Sequence, residues 1–206
     1  ELATGKYTAI FHADDIYETD MVAKQVAFLE AHPQAGAVFT EATLIDQSGK
    51  SIGEIRQPAF LSESGPLLEF PVVFKAILEH SNFLICPSVM ALTTIYQQHV
   101  VSWRGELFGS SADLDVWLRI LEKSPIGILP EKTMRYRVSN SQWSANVRAN
   151  TERADFFKVI DHYLAKAVVR SNLSPQDMVN YHSLERRDRV VRAANALIAM
   201  QADQAR

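Results

Sequence analysis

Apolar runs of strand type alternate with helix-period segments along the first two thirds of this chain, and that alternation admits few folds. The stretches "KYTAIF", "GAVFTEATLID", "FLICPSVMAL" and "IGILPEKTMRYRVS" read as strands. Between them, Met21, Val22, Val26 and Leu29 recur at helical spacing until His32-Pro33. "PLLEFPVVFKAILEH" reads as a helix bent at Pro71. Leu114, Trp117, Leu118 and Leu121 form one stripe behind a Ser110 or Ser111 cap, and Pro125 stops it. "QSGK" joins the second strand to "SIGEI" as a hairpin with Gly49 in the bend. The run "FLICPSVMAL" has the continuous apolarity of a strand covered on both faces. This pattern builds a mixed α/β sheet flanked by helices. From about residue 150 only helical periodicity remains, with Ser174-Pro175 as a cap and first helical position. The expected organisation is an α/β part over 1–149 and an α-helical C-terminal extension over 150–206.

Composition narrows the function classes. The chain has 206 residues, 47% hydrophobic and 22% charged, enough to bury a substantial core. A net charge of -3 gives no general attraction to nucleic acid, so no nucleic-acid partner is expected. A single cysteine, Cys86, excludes an intrachain disulfide and a thiolate metal cluster, and fits a reducing compartment. No apolar run approaches the roughly 20 residues that cross a bilayer. A cytoplasmic location is therefore expected, extended to a peripheral position at the inner face of the membrane. The opening "ELATGKYTAIF" reads as the end of a helix, a glycine stop and a buried strand, so an earlier part of the domain is expected to precede it.

The decapeptide "FHADDIYETD" concentrates the chemical question. A strand ends here in a histidine and two adjacent carboxylates, Asp14 and Asp15, which resist joint ionisation unless a cation or donor accompanies them. Either a divalent metal carrying a phosphate sits there, or one carboxylate faces a site while the other caps the helix that follows.

Taken in order, "GKYTAIFHADD", "KQVAFLEAHPQAGAVFTEATLIDQSGK", "CPSVMAL", "SSADLDVWLR" and "YRVSNSQWS" resemble glycosyltransferase family 2, inverting transferases with a GT-A fold. The resemblance runs from the first residue to about Ser144. Members begin with a strand–helix–strand unit that holds the nucleotide base, and nothing here corresponds to it. The resemblance implies sugar transfer from a nucleotide-sugar donor to a glycan or other hydroxyl acceptor, assisted by a divalent metal, Mn or Mg. It places the metal on Asp14, and makes His12, Asp14, Asp15 and Arg137 the nucleotide-sugar-binding set. His12 stands where the family's first Asp would be, and Asp15 is left to the helix cap.

In "SADLDVWLR" the resemblance makes Asp113 the catalytic base, with Ala112 replacing the family's Glu. A carboxylate in the first helical turn stays ionised beside the helix dipole and can accept the acceptor's proton. Trp117, one turn on, is placed as an acceptor platform, although its spacing also suits a core residue. Asp115 and Arg119 read as a helix-surface ion pair. Arg137 offers planar, bidentate phosphate contacts. Ser139 stands where many members carry a metal-binding His, and Trp143 is expected to contact substrate or to act as a lid.

Outside these motifs, Cys86 reads as an inert core thiol. "LERRDRVVRAANALIAM" reads as a basic amphipathic helix. Glu185 and Asp188 weigh against a membrane surface there and in favour of packing on a protein. Peripheral membrane contact and a homo-oligomer formed through an exposed sheet edge stay open as partner classes. His12, Ala112 and Ser139 also leave open a non-catalytic module of the same fold, kept for glycan binding or assembly.

Overall fold

Two long strands lie side by side at the centre of the sheet, and the other elements are arranged around them. The computed structural model describes residues 3–139, 147 and 149–204, the last three by backbone alone. In chain order, β1 (Tyr7–Ala9), β2 (Ile16–Tyr17), α1 (Met21–Ala31), β3 (Ala37–Ile45) and β4 (Ser51–Ile55) come first. They are followed by α2 (Ala59–Glu63), α3 (Phe70–His80), β5 (Met90–Leu92), α4 (Thr93–Ile95) and α5 (Gly105–Phe108). Then come α6 (Ala112–Leu121), β6 (Ile126–Arg137), α7 (Asp155–Leu164), α8 (Ala167–Arg170) and α9 (Pro175–Gln204). The sheet order is β1-β5-β3-β6-β2, with β4 also paired to β3. β3 and β6 run parallel and every other pair is antiparallel. This is the α/β mixed sheet flanked by helices, with a helical extension, that the sequence suggests.

Residue alternation along β3 assigns its two faces. Ala37 and Phe39 join the large core with Phe74 of α3 and Trp117 of α6, while Val38 packs with Leu29 of α1. The hairpin forms as the turn chemistry dictates. The Asp46 carboxylate accepts the Ser48 N–H at 2.8 Å and the Lys50 N–H at 3.0 Å, and Gly49 takes φ +85°.

Three local expectations are corrected. "FLICPSVMAL" is strand only over Met90–Leu92, because Cys86–Ser88 form a tight turn around Pro87. Pro87 has no N–H for a ladder, and Ser88 is tied sideways: Gln25 Nε2 donates to its carbonyl at 2.7 Å and its hydroxyl donates to the Ile85 carbonyl at 2.8 Å. Pro71 does not bend its helix. It stands in the first turn, where a missing N–H costs nothing. Neither Ser110 nor Ser111 caps α6; the Ser110 N–H and hydroxyl instead donate to Asp155 of α7, each at 2.8 Å. Gly109, at φ +51°, permits this, since a Cβ there would lie 2.3 Å from the Asp155 carboxylate. Ser174 does cap α9, exchanging bonds with Asp177 in a reciprocal box.

The extension is not a separate packing unit. Phe157, Ile160 and Tyr163 of α7 and Leu184 of α9 share one core with Phe39, Phe74 and Trp117. Within that core, Asp115 of α6 is fully buried, and the expected surface pair is instead an internal cluster. Its carboxylate accepts from Arg104 Nε at 2.9 Å and pairs with Arg119 Nη2 at 2.9 Å. A second guanidinium nitrogen of Arg104 reaches the other oxygen. Arg119 also donates to the Val100 and Ser102 carbonyls, so the cluster fixes the segment before α5.

Replacing Asp115 by Ala strands two partly buried cations. The expected loss is about 3–5 kcal/mol of stability. Urea unfolding of the wild-type and Asp115→Ala chains checks it, with the midpoint falling and the slope unchanged.

Candidate active site

The loop after β1, the start of α6 and the end of β6 converge on one cavity of about 570 Å³. His12, Asn82, Phe83, Leu84, Trp103, Ser110, Asp113 and Tyr136 are among the residues that line it. Apart from the few polar groups, the walls are apolar, as in a site that orients a ligand through a small number of hydrogen bonds.

The β1 loop is closed on itself. The His12 N–H donates to the Tyr17 hydroxyl at 2.7 Å, and Phe11 packs edge-on against the Tyr17 ring at 4.7 Å. Burial pushes the Tyr17 phenol up to about 12, so it stays a neutral donor and acceptor. Asp15 does not cap α1, which starts after Asp20 without a side-chain cap. Its side chain is 1% exposed, and Oδ1 accepts the Arg137 N–H at 2.8 Å. Oδ2 has no hydrogen-bond partner among the described residues, and lies 3.9 Å from His12 Nδ1. Burial raises the Asp15 carboxyl above the ordinary carboxylate value, although the Arg137 N–H opposes the shift. The Asp14 side chain is exposed beside it.

Each of His12, Asp14 and Asp15 offers one ligand atom, and the three atoms lie within 4.8 Å of one another. An imidazole and two carboxylates, one with an orphaned buried oxygen, suit a hard divalent cation. On this observation the residues fit the metal that the resemblance implies.

Asp113, in the first turn of α6, lines the same cavity as His12. Its Oδ1 accepts the Leu114 N–H at 2.7 Å. Burial raises its pKa, while the two local N–H groups and His12 pull the other way. Cys86 also borders the cavity, and burial followed by the Asp113 charge pushes its thiol up to about 12. It is not a thiolate nucleophile at neutral pH.

Arg137 ties the acidic loop to the hairpin turn. Its Nε donates to the Asp14 carbonyl at 2.8 Å and Nη1 to the Asp46 carbonyl at 2.9 Å and the Gln47 carbonyl at 3.1 Å. These bonds occupy donors that the sequence reading assigned to phosphate. Trp117 is corrected outright as an acceptor platform: it is fully buried, edge-on to Phe39 at 5.3 Å and to Trp103 at 6.0 Å. Trp103 is the tryptophan, among the described residues, that lines the cavity, 46% exposed, alongside Phe83 and Tyr136. Sequence reasoning missed it, although an aromatic in the loop leading to the conspicuous motif was a usable signal. Trp143 lies outside the described residues.

No family model matches the chain. It is 27% identical over 139 residues to an uncharacterized glycosyltransferase of Rickettsia conorii, covering 66% of this chain and 20% of that protein. With an uncharacterized glycosyltransferase of Methanocaldococcus jannaschii it shares 25% over 140 residues, 68% of this chain and 44% of the other. Among solved structures it is similar to TarS of S. aureus in complex with UDP-GlcNAc, at a TM-score of 0.56 and 13% identity, covering 87% of this chain and 48% of that one. The UDP complex of TarS gives a TM-score of 0.51 at 12% identity, over 87% of this chain and 46% of that one. The fold is shared with TarS, and the sequence likeness is to proteins named glycosyltransferases. The chain spans less than half the length of each of these proteins.

Arg137→Ala keeps the main-chain bond to Asp15 but removes the guanidinium bracket. The expected cost is about 1–3 kcal/mol. Hydrogen exchange should quicken around residues 12–16 and 46–49 in that variant, and unchanged protection would contradict the bracket.

Proposed function

We propose that this chain is the acceptor-facing part of an inverting glycosyltransferase that moves a sugar from a nucleotide-sugar donor to a hydroxyl acceptor. The observation that carries the reading is that Asp113 and His12 open onto one cavity, with Asp14 and Asp15 beside His12. Sugar transfer also agrees with the relatives named glycosyltransferases and with TarS having been solved with UDP-GlcNAc.

The residues divide the work as follows. His12, Asp14 and Asp15 hold a divalent metal, Mn or Mg. Such an ion supplies charge neutralisation for a diphosphate leaving group. Asp113 accepts the proton of the acceptor hydroxyl as that oxygen bonds to the anomeric carbon and the carbon–oxygen bond to the diphosphate breaks. Attack from the face opposite the leaving group inverts the anomeric centre. Trp103 supplies an aromatic wall for the acceptor ring. Asp115 is turned away from the cavity and is not a second base, since two residues along a helix are about 200° apart. The raised pKa of Asp113 suits a base working nearer neutrality than an exposed carboxylate does.

The test is nucleoside diphosphate release by the natural protein that carries this chain, given a panel of nucleotide sugars and manganese. Asp113→Asn should lower turnover by about 10²- to 10⁴-fold with donor affinity unchanged. Asp14→Asn should abolish metal-dependent diphosphate binding with the fold intact. Because only ionised Asp113 accepts a proton, kcat/KM should rise with pH through a value above the ordinary carboxylate range. Trp103→Ala should raise the KM for acceptor with little effect on the donor. A full-rate Asp113→Asn enzyme would overturn the base assignment. Glycan binding without any diphosphate release would favour the non-catalytic module instead.

A further inference from the structure

The extension helix α9 presents a face that neither the core nor the proposed chemistry uses. Val190, Leu197, Ile198 and Met200 are 69%, 62%, 66% and 60% exposed, although side chains of this kind ordinarily seek burial. Val190 and Leu197 are seven residues apart and so lie within about 20° of one another around the helix. Ala193 and Ala194 fall between them, which makes the outer stripe continuous.

The charges around this stripe are sorted by sign. Arg186 and Arg189 flank Val190 on one side, about 40° and 100° away, and Arg187 flanks it on the other, about 60° away. All three are exposed, and none has an ion-pair partner among the described residues. The helix's carboxylates in this stretch point the other way. Glu185 pairs with Arg153 at 2.7 Å, and Asp188 with Arg192 at 3.0 Å while accepting the Ala154 N–H. In the sequence, Glu185 and Asp188 dilute the basic character of the segment. In the fold they are consumed by the body of the protein, and the outer face is left with three cations and an apolar stripe.

We propose that this face of α9 lies on an anionic lipid surface, with Val190 and Leu197 entering the interface and the three arginines meeting headgroup phosphates. Charge complementarity selects that occupant. An apolar stripe with arginines on both flanks can bury its side chains while the guanidinium groups extend to the headgroups. A second copy of the same face would bring like charges together. The contact is peripheral, and it agrees with no helix among the described residues being long and apolar enough to cross a membrane. It stands independently of the transfer reading.

Cosedimentation of the chain, and of the natural protein that contains it, with two vesicle types tests this. One type is phosphatidylcholine mixed with phosphatidylglycerol, the other phosphatidylcholine alone. Binding to the anionic vesicles only, weakened by salt, is expected. With each arginine contributing about fivefold near such a surface, the combined Arg186→Gln, Arg187→Gln, Arg189→Gln variant should lose on the order of 10²-fold in partitioning. Val190→Ser with Leu197→Ser should also weaken binding, separating insertion from simple charge adsorption. These positions are exposed, so helicity and Tm should match the wild type in both variants. Equal partitioning to the two vesicle types, or undiminished binding by either variant, would overturn the proposal. So would a dimer in light scattering that Leu197→Ser dissolves in the absence of any lipid binding.

Discussion

The buried carboxylate of Asp115 is the constraint on which the rest of the site depends. A charge in a fully apolar surrounding persists only if opposite charges and hydrogen bonds compensate it. Here Arg104 and Arg119 do so from two different segments. Arg119 continues to the Val100 and Ser102 carbonyls. Residues 100–104 are thereby fixed against α6, and Trp103 is set against Trp117 with its outer edge on the cavity. The arrangement of the acceptor wall follows from an interaction buried behind it.

Three carboxylates near the cavity differ in their surroundings. Asp14 is exposed, Asp15 is enclosed with one oxygen satisfied and one orphaned, and Asp113 is half-buried at the cavity and held by N–H groups of its own helix turn. Enclosure raises both Asp15 and Asp113, so each is easier to protonate than a surface carboxylate. Arg137 links this loop to the hairpin turn through main-chain carbonyls, which makes the geometry of the acidic cluster a property of the sheet rather than of the loop alone.

The helical extension serves the α/β part in two ways. Phe157, Ile160 and Tyr163 complete its core, and Asp155 holds the loop just ahead of Asp113 through Ser110. The same packing turns Glu185 and Asp188 inward, which determines the charge left outside.

The sequence by itself determined the mixed α/β class, the alternation of β3 and β6 with their covering helices, the hairpin at Gly49 and the Ser174 cap. Each depends on local periodicity or on a side chain bonding to its own neighbourhood, and such information is carried within a few residues. It also drew attention to His12, Asp14 and Asp15, because charged groups at the end of an apolar run stand out without any knowledge of folding, while Asp113 was singled out by the family resemblance of its motif. Only the tertiary structure decided what these residues face. Asp15 was expected to cap a helix and instead accepts an N–H from a strand 122 positions away. Trp117, placed as an acceptor platform, is buried, and Trp103, which had no assigned role, lines the cavity instead, because a helix has a buried and an open side that spacing alone leaves unassigned. Asp115, read as a surface charge, is buried because Arg104 arrives from a segment that no helical repeat connects to it. These outcomes depend on which distant groups meet, and a one-dimensional pattern carries no term for that.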